Sequence, residues 1–338
     1  MRFSVDEIFG RRDLIAAASL KELSVKSDLR GFIQLGGHLG ALALTGTALL
    51  RAWGSLWAVP LFIAHGILIN FLYAGQHELS HWTVFRTKGL NEFFGRLFGF
   101  VLIFPRDFDQ VQHFAHHRFT QDWQHDGELA REPYTLSSYV WWLLGISYWY
   151  TRVRRVVRFS CGVVTEPYLP AGRKPGLIRE ARWHLAGYGL IAAVSVISRS
   201  TLALELWLLP MLAMKPVHQL QNTMEHLGLP HIDSITENTR STRTNALMRW
   251  LAWNMQYHTA HHAFPGVPCY RLRRLHDAIF VSQGRAPPTM SYLGFQRAVL
   301  SALWNARSEA DYPNDGAWIG EAIKAAPLTA RTWPAEKL

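Results

Sequence analysis

The sequence has little cysteine and little charge. Only two of its 338 residues are cysteines, Cys161 and Cys269, and only 18% of the residues are charged. Two cysteines are too few for a disulfide framework, a four-cysteine zinc site or a cysteine-bound iron-sulfur cluster. The sequence also contains no GxGxxG nucleotide-binding loop and no His-Pro-Gly-Gly haem motif. Because 49% of the residues are apolar, a disordered chain is excluded as well.

The net charge of +10 accompanies a pattern typical of membrane proteins rather than of nucleic-acid-binding proteins. Aromatic residues make up 13% of the chain, and the apolar residues stand in long uncharged runs. The two longest runs are 31–50 and 55–75, each close to the ~20 residues that a helix needs to cross a bilayer. The short connection between them predicts a hairpin of two crossings.

Two further apolar segments, 183–198 and 201–215, meet at a short polar stretch that includes Arg199. We predict that they cross the membrane as a second hairpin. The shorter runs 93–104 and 139–150 do not reach the length of a crossing and are predicted to lie in the membrane interface.

The basic residues predict the orientation of these crossings. Of the 35 Lys and Arg, six precede the first crossing, fourteen lie between the two hairpins and twelve follow the last crossing. The two predicted outer turns contain only Arg51 and Arg199. By the positive-inside rule, both termini and the segments 76–182 and 216–305 face the cytoplasm.

The predicted fold is therefore all-α, an integral membrane protein with four transmembrane helices in two hairpins. The segments 76–182 and 216–305 form a cytosolic helical cap on these crossings. A cytosolic segment, 1–30, precedes the membrane domain 31–305, and a peripheral tail, 306–338, follows it.

Sixteen histidines are an unusual number for a chain of this length. Eight of them lie in three boxes: His77 and His81; His113, His116 and His117; and His258, His261 and His262. The pattern HxxHH occurs twice, although composition alone predicts only about 0.04 matches. Positions i, i+3 and i+4 of a helix share a face, so each box can direct its imidazoles at one point. Imidazole is the commonest metal ligand, and eight ring nitrogens exceed what one ion accepts. The boxes therefore predict two metal ions, whose identity the spacing leaves open.

A ninth candidate, His226, follows the predicted fourth crossing, with Asn222 on the same helical face. His226 and the third box can meet the first two boxes only if an even number of crossings separates them. The predicted metal site and the charge distribution thus independently favour the second hairpin.

The boxes and their surroundings resemble the integral-membrane fatty acid desaturase superfamily. The resemblance covers residues 61–276 and rests on the stretches HELSHWTVFRTKGLNEFFGRLFGF, HFAHHRFTQDWQHDGE and WNMQYHTAHHAFPGVPCYRLRRLH. The positions that follow the third box match those typical of the family: Phe264, Pro265, Val267, Pro268, Tyr270, Leu272 and Leu275.

This resemblance implies an oxidoreductase that uses O2 and two Fe ions (Fe2+/Fe3+). Nine histidines would ligate the irons: His77, His81, His113, His116, His117, His226, His258, His261 and His262. Asn222 would reach one iron directly or through water. Asp126 and Glu128 would lie behind the ligands and fix imidazole tautomers, and Glu78 would at most play the same part. No catalytic residue is expected beyond the metal centre.

The ligand set does not define the reaction. Removal of hydrogen from an unactivated C–H bond requires a metal with O2, and desaturation and hydroxylation share that first step. The main prediction is insertion of a double bond into a fatty acyl or related lipid-like substrate. Hydroxylation or ketolation, for example of a carotenoid, and desaturation of a small non-acyl metabolite stay open.

Two other classes of protein also fit parts of the sequence. The first box matches HExxH, the motif of an intramembrane zinc protease in which Glu78 would be the general base, but both HxxHH boxes then have no role. A bis-His haem protein or a metal transporter would need histidines within the crossings, and only His38 and His65 are so placed.

Each turnover needs two electrons from outside, so we expect a separate donor, a ferredoxin or cytochrome-type protein with its reductase. The basic runs 152–158 and 271–274 can dock an acidic donor or an anionic head group, although the positive-inside rule accounts for them equally well. The predicted partners are this donor, the lipid bilayer and a lipid-like or acyl substrate, with no nucleic acid.

Overall fold

A computed structural model describes residues 11–129, 134–312 and 318–319 of the chain. This part of the chain is mostly helical, as the sequence predicts. Its α-helices are α1 (Ala17–Leu23), α2 (Asp28–Ala52), α3 (Ala58–Ser80), α4 (Lys88–Val101), α5 (Arg106–Arg118), α6 (Leu136–Leu143), α7 (Ile146–Ser160), α8 (Lys174–Ile197), α9 (Leu209–Ala213), α10 (Lys215–Asn222), α11 (Ile235–Asn238), α12 (Ala246–Leu251), α13 (His258–Ala263), α14 (Leu272–Ile279) and α15 (Tyr292–Leu303). A π-helical turn, Leu204–Leu208, precedes α9. Short 3₁₀ helices lie at Arg11–Leu14, Ala171–Arg173, Thr223–Glu225, Met255–Tyr257, Cys269–Arg271, Val281–Gln283 and Glu309–Asp311.

The predicted crossings 31–50 and 55–75 lie largely within α2 and α3, which pack against each other. Among the described residues, these are the two helices long and apolar enough to cross a membrane. The α2 helix extends beyond both predicted ends. The α3 helix extends beyond its predicted C-terminal end but begins three residues late, because residues 55–57 complete the turn. Its polar end, residues 76–80, continues the helix because these side chains are buried inside the protein. The α3 helix thereby brings the first histidine box into the protein interior.

The segments predicted as a second hairpin have a less regular structure. Residues 183–198 coincide with the second half of α8, whose first half is charged. Residues 201–215 are not one helix, because the π-helical turn leads into α9 and the helix is interrupted at Met214 before α10 begins. Pro210 follows the π-helical turn within continuous helix, and the Leu206 carbonyl, four residues before it, accepts a hydrogen bond from the His65 side chain instead. Pro216 stands in the first turn of α10, where the missing amide hydrogen costs little.

The two shorter apolar runs are also helical. Residues 93–104 fall mainly in α4. Residues 139–150 are divided between α6 and α7 by Gly145, whose φ of +75° is accessible to glycine at little cost.

Large apolar side chains are exposed on the segments of both predicted hairpins. The tip of the first carries Leu56, which is 90% exposed, and the end of α8 carries Ile197, which is 83% exposed. Other exposed apolar residues of these helices are Leu29, Ile33, Leu44, Leu190, Val194 and Val196. An apolar surface of this extent indicates contact with lipid or another apolar partner, which agrees with the membrane protein predicted from the sequence.

A two-stranded parallel sheet is the one sheet of the described region. It pairs β1 (Ser241–Arg243) with β2 (Thr289–Ser291). Near this sheet, α15 packs with Tyr312 and Ile319, which belong to the predicted peripheral tail and are each 2% exposed. At least these two tail residues are therefore part of the core, while the rest of the tail beyond residue 319 and residues 1–10 lie outside the described residues.

Candidate metal centre

Four segments bring histidines to one place. The end of α3 carries His77 and His81, and α5 carries the second box. The third box forms the short helix α13, and His226 follows the 3₁₀ turn after α10. The α5 helix is held against α3 by polar contacts, since the Gln110 side chain donates a hydrogen bond to the Ser80 carbonyl.

Five of the nine predicted ligands form one cluster. Its members are His77, His81, His113, His117 and His261, with one ring nitrogen of each within 4.8 Å of the others. The Nε2 atoms of His77 and His261 are 2.8 Å apart. The Nε2 atom of His113 lies 2.8 Å from those of both His81 and His117.

The remaining four predicted ligands form a second cluster. Its members are His116, His226, His258 and His262, again with one ring nitrogen of each within 4.8 Å of the others. The Nε2 atom of His226 lies 3.1 Å from that of His116 and 2.8 Å from that of His258. The two clusters are adjacent, because the rings of His117 and His262 stack with centroids 4.1 Å apart.

Carboxylates lie near the Nδ1 atoms of three clustered histidines, on the side of each ring away from the cluster. Asp126 lies 2.9 Å from His116 Nδ1, and the other predicted carboxylates lie near His113 (Glu128, 3.3 Å) and His261 (Glu78, 3.2 Å). The three carboxylates thus stand where the sequence predicted outer residues that orient the ligands.

The tautomer is fixed most clearly at His226. Its Nδ1 lies 3.2 Å from the Asn238 carbonyl oxygen, which can only accept, so Nδ1 carries the proton and Nε2 offers a lone pair. Nε2 atoms only about 3 Å apart must either share a proton or bind a common cation. A pair of clusters in which neutral imidazoles converge through Nε2, with hydrogen-bond acceptors behind several of the rings, is a donor set that fits metal ions.

Burial keeps most of these imidazoles neutral, which is the form that binds a metal. It lowers the pKa well below the usual range for His81, His113, His117, His226, His258, His261 and His262. His116 differs: burial opposes its charged form, but the carboxylates of Asp126 and Glu128 outweigh burial and raise its pKa to about 9. A metal ion would replace that proton.

Three groups in the site were not predicted from the sequence. A Glu225 carboxylate oxygen lies 3.8 Å from His258 Nδ1, and the Thr120 hydroxyl lies 3.2 Å from His262 Nδ1. The third is the Asn238 carbonyl behind His226. Glu225 directly precedes a predicted ligand, which is a signal that could have identified it. The other two groups are brought in only by the fold.

A pocket opens onto both clusters. It is lined by His77 from the first and His116 from the second, together with Tyr73, Asn222 and Glu225. The Asn222 amide lies 3.4 Å from Glu225 and faces this pocket beside the histidines. Its role as a metal ligand stays a prediction.

The other histidines have separate partners. His38 Nε2 lies 2.9 Å from the Leu68 carbonyl and His65 Nε2 lies 2.9 Å from the Leu206 carbonyl, so the two histidines within the crossings are engaged in helix packing rather than paired around a haem. The remaining five lie near other groups: His125 near Asp122, His184 near Tyr188, His218 near Lys215, His231 near the Gln121 carbonyl, and His276 near the Tyr257 ring.

Two comparisons with known proteins bear on this site, and one of them gave a match. A search of curated proteins gave no match to the sequence. The family described as fatty acid desaturase matches residues 29–293, which is well over half of the chain and contains all nine clustered histidines. The resemblance seen in the histidine boxes is thereby confirmed, and the chain belongs to the fatty acid desaturase family, a family of oxidoreductases.

Proposed function

We propose that the protein is an O2-dependent di-iron oxidoreductase of the membrane that introduces a double bond into a fatty acyl or related lipid-like substrate. The observation that carries this proposal is the pair of adjacent histidine clusters. Two clusters agree with two ions, and imidazole is a ligand that suits iron. Membership of the fatty acid desaturase family supports the desaturase-type reaction.

Two bound Fe ions would supply, with O2, an oxidant strong enough to remove hydrogen from an unactivated C–H bond. The side chains of the protein would hold these ions and orient their ligands. The nine histidines would bind the ions. Asp126 and Glu128 accept hydrogen bonds from the outer nitrogens of His116 and His113, so that the inner nitrogens of these two rings would face the ions. Glu78 lies 3.2 Å from the outer nitrogen of His261. Since one pocket contacts both clusters, its walls would place the substrate carbon beside the metal centre.

Product analysis tests this reaction. The protein would be expressed in a host of known lipid composition, with and without O2, and lipids and polar metabolites would be compared by mass spectrometry. We expect an O2-dependent product that has lost two hydrogens and is absent with the His262→Ala variant. A product that has gained oxygen would instead identify a hydroxylase or ketolase, and a polar product would point to a small non-acyl substrate.

The Glu78→Gln variant is expected to keep both metal ions and to lose activity by only ~10- to 100-fold. Glu78 is fully buried, accepts a hydrogen bond from the Thr83 hydroxyl and lies 3.2 Å from His261 Nδ1. Because glutamine has the same shape and removes no hydrogen bond to that imidazole, the histidine keeps its orientation. Metal content and product formation would be measured together, with the exposed Glu22→Gln as the matched control.

A zinc protease gives the opposite result. Its general base would have to face the substrate, and its removal would abolish turnover while one zinc stayed bound. Complete loss of activity in Glu78→Gln, with zinc and no iron, would support that class and contradict the oxidoreductase.

We further propose four crossings, with both termini and the metal centre on the cytoplasmic side. The α3 helix and the segment 204–213 run in the same direction: His65 lies against Leu206, and five residues later Asn70 donates a hydrogen bond to the Met211 carbonyl. Both segments then lead into the metal centre. This parallel course supports the even number of crossings that the histidine boxes require.

Cysteine labelling tests this topology. Single cysteines at Ala52 and Ser200, in a variant lacking Cys161 and Cys269, are expected to react with a membrane-impermeant reagent added outside intact cells. A separate variant that keeps Cys161 as its single cysteine is the control: Cys161 is exposed and follows α7 on the predicted cytoplasmic side, so it should react only after permeabilisation. Labelling at Ser200 only after permeabilisation would contradict the second hairpin.

The electron donor is also a proposal. The basic runs 152–158 and 271–274 are not continuous solvated surfaces, because Arg152 and Arg155 stack on the rings of Phe104 and Phe108. Arg274 pairs with Glu22 on α1. We therefore propose a separate ferredoxin or cytochrome-type donor without assigning it to either run, and a bilayer as the other partner.

A further inference from the structure

A buried arginine lies behind the loop that carries His226. The Arg240 side chain is 0% exposed. Its Nη1 donates hydrogen bonds to the carbonyls of Met224, at 2.6 Å, and Leu227, at 2.9 Å, and its Nη2 donates to the Ile319 carbonyl at 3.0 Å. The first two carbonyls stand on either side of His226. Burying a guanidinium is costly without such partners. The buried Arg240 is therefore held in place by its hydrogen bonds to the loop carbonyls.

The C-terminal part of the described chain lies against the same loop. The amides of Trp318 and Ile319 both donate to the Gly228 carbonyl, at 3.1 and 3.0 Å. Gly228 has a φ of +76°, and a Cβ there would lie 2.5 Å from Ile319. Ile319 thus occupies the space that the glycine leaves open, and Arg240 bonds to its carbonyl.

His226 depends on these contacts more than the other clustered histidines do. The other eight lie in an α-helix or directly at its end, whereas His226 follows a 3₁₀ turn of three residues, Thr223–Glu225. Its carbonyl accepts from the Gln121 side chain at 2.9 Å, and the Arg240 amide donates to the Glu225 carbonyl at 2.8 Å. A ligand on an irregular loop is only as well placed as the groups that hold the loop.

We propose that Arg240 is a positioning residue for the four-histidine cluster and that Trp318–Ile319 completes the clamp, so that part of the predicted peripheral tail supports the metal centre. This inference rests on the proposed function in one respect, that the cluster binds a metal ion. It assigns to Arg240 an effect on one of two ions, which a general role in folding would not give.

Cobalt titration tests the inference. The metal-free full-length protein in detergent would be titrated with Co2+ and followed by visible absorption and calorimetry. We expect the wild type to bind two equivalents, and Arg240→Met to bind one equivalent normally and the second about 10- to 100-fold more weakly. Arg240→Lys, which keeps the charge and part of the hydrogen bonding, should fall between them. Arg243→Met changes an exposed arginine of β1, three positions after Arg240; it is the matched control and should behave as the wild type.

A chain ending at Tyr312 provides the second variant, since it removes Ile319 while leaving Arg240 in place. It should also weaken one equivalent alone, even if Arg240→Met fails to fold. Two unchanged equivalents in either folded variant, or equal weakening of both, would overturn the inference while leaving the proposed function intact. A wild type that binds no Co2+ would overturn both.

Discussion

Replacing His262 with alanine is expected to abolish product formation and to reduce bound iron from about two ions per chain to about one. His262 is fully buried and is one of only four histidines in its cluster, so three imidazoles would remain. The loss of activity should exceed the ~10- to 100-fold loss that is typical when a residue hydrogen-bonded to a metal ligand is mutated. His117→Ala should also eliminate product, but with a smaller loss of iron, because its cluster retains four histidines.

The control is His184→Ala. His184 is buried and its Nδ1 lies 3.0 Å from the Tyr188 hydroxyl, outside both clusters. Iron content and product formation should stay near those of the wild type. Full iron and O2-dependent product in His262→Ala and His117→Ala would mean that the HxxHH boxes are not the active centre.

Removal of the metal is expected to lower the stability of the folded protein by about 5 kcal/mol when each ion had been present at 100 times its dissociation constant. The reason is that the folded chain gathers the nine imidazoles into two clusters that would bind the ions, whereas the unfolded chain does not. The apparent unfolding temperature of the chelated protein should fall by roughly 10 °C. Tryptophan fluorescence during heating, with and without chelator, measures this shift.

Two variants make the result specific. His262→Ala should show about half of the chelator-dependent shift, since one ion is already absent, and His184→Ala should show all of it. A wild type whose unfolding temperature does not respond to chelation would contradict metal binding by the clusters.

Much of the fold follows from local patterns in the sequence. The uncharged runs within α2 and α3 define helices by composition and length, and the prediction of a mainly helical protein is confirmed. The division of 139–150 at Gly145 was not predicted, because the apolar run continues through the glycine and only the backbone conformation reveals the break. The irregular segment around Pro210 was predicted as one crossing because composition does not distinguish a π-helical turn from an α-helix.

For the metal site, the sequence predicted which histidines take part but not how they are arranged. The spacing of the boxes predicted that their eight histidines would meet, the family resemblance added His226, and the structure brings all nine together. The spacing did not predict that neighbours such as His116 and His117 belong to different clusters, since this depends on how α5 lies between α3 and α13. The contribution of Ile319 depends on contacts with residues about 80 to 90 positions earlier in the chain and leaves no local signal.

The most direct test of the central claim is the metal content of the protein purified in mild detergent without chelator, measured by elemental mass spectrometry. The two clusters predict about two iron ions per chain, and loss of about one of them in His262→Ala. One zinc per chain with no iron would contradict the di-iron centre and with it the proposed reaction.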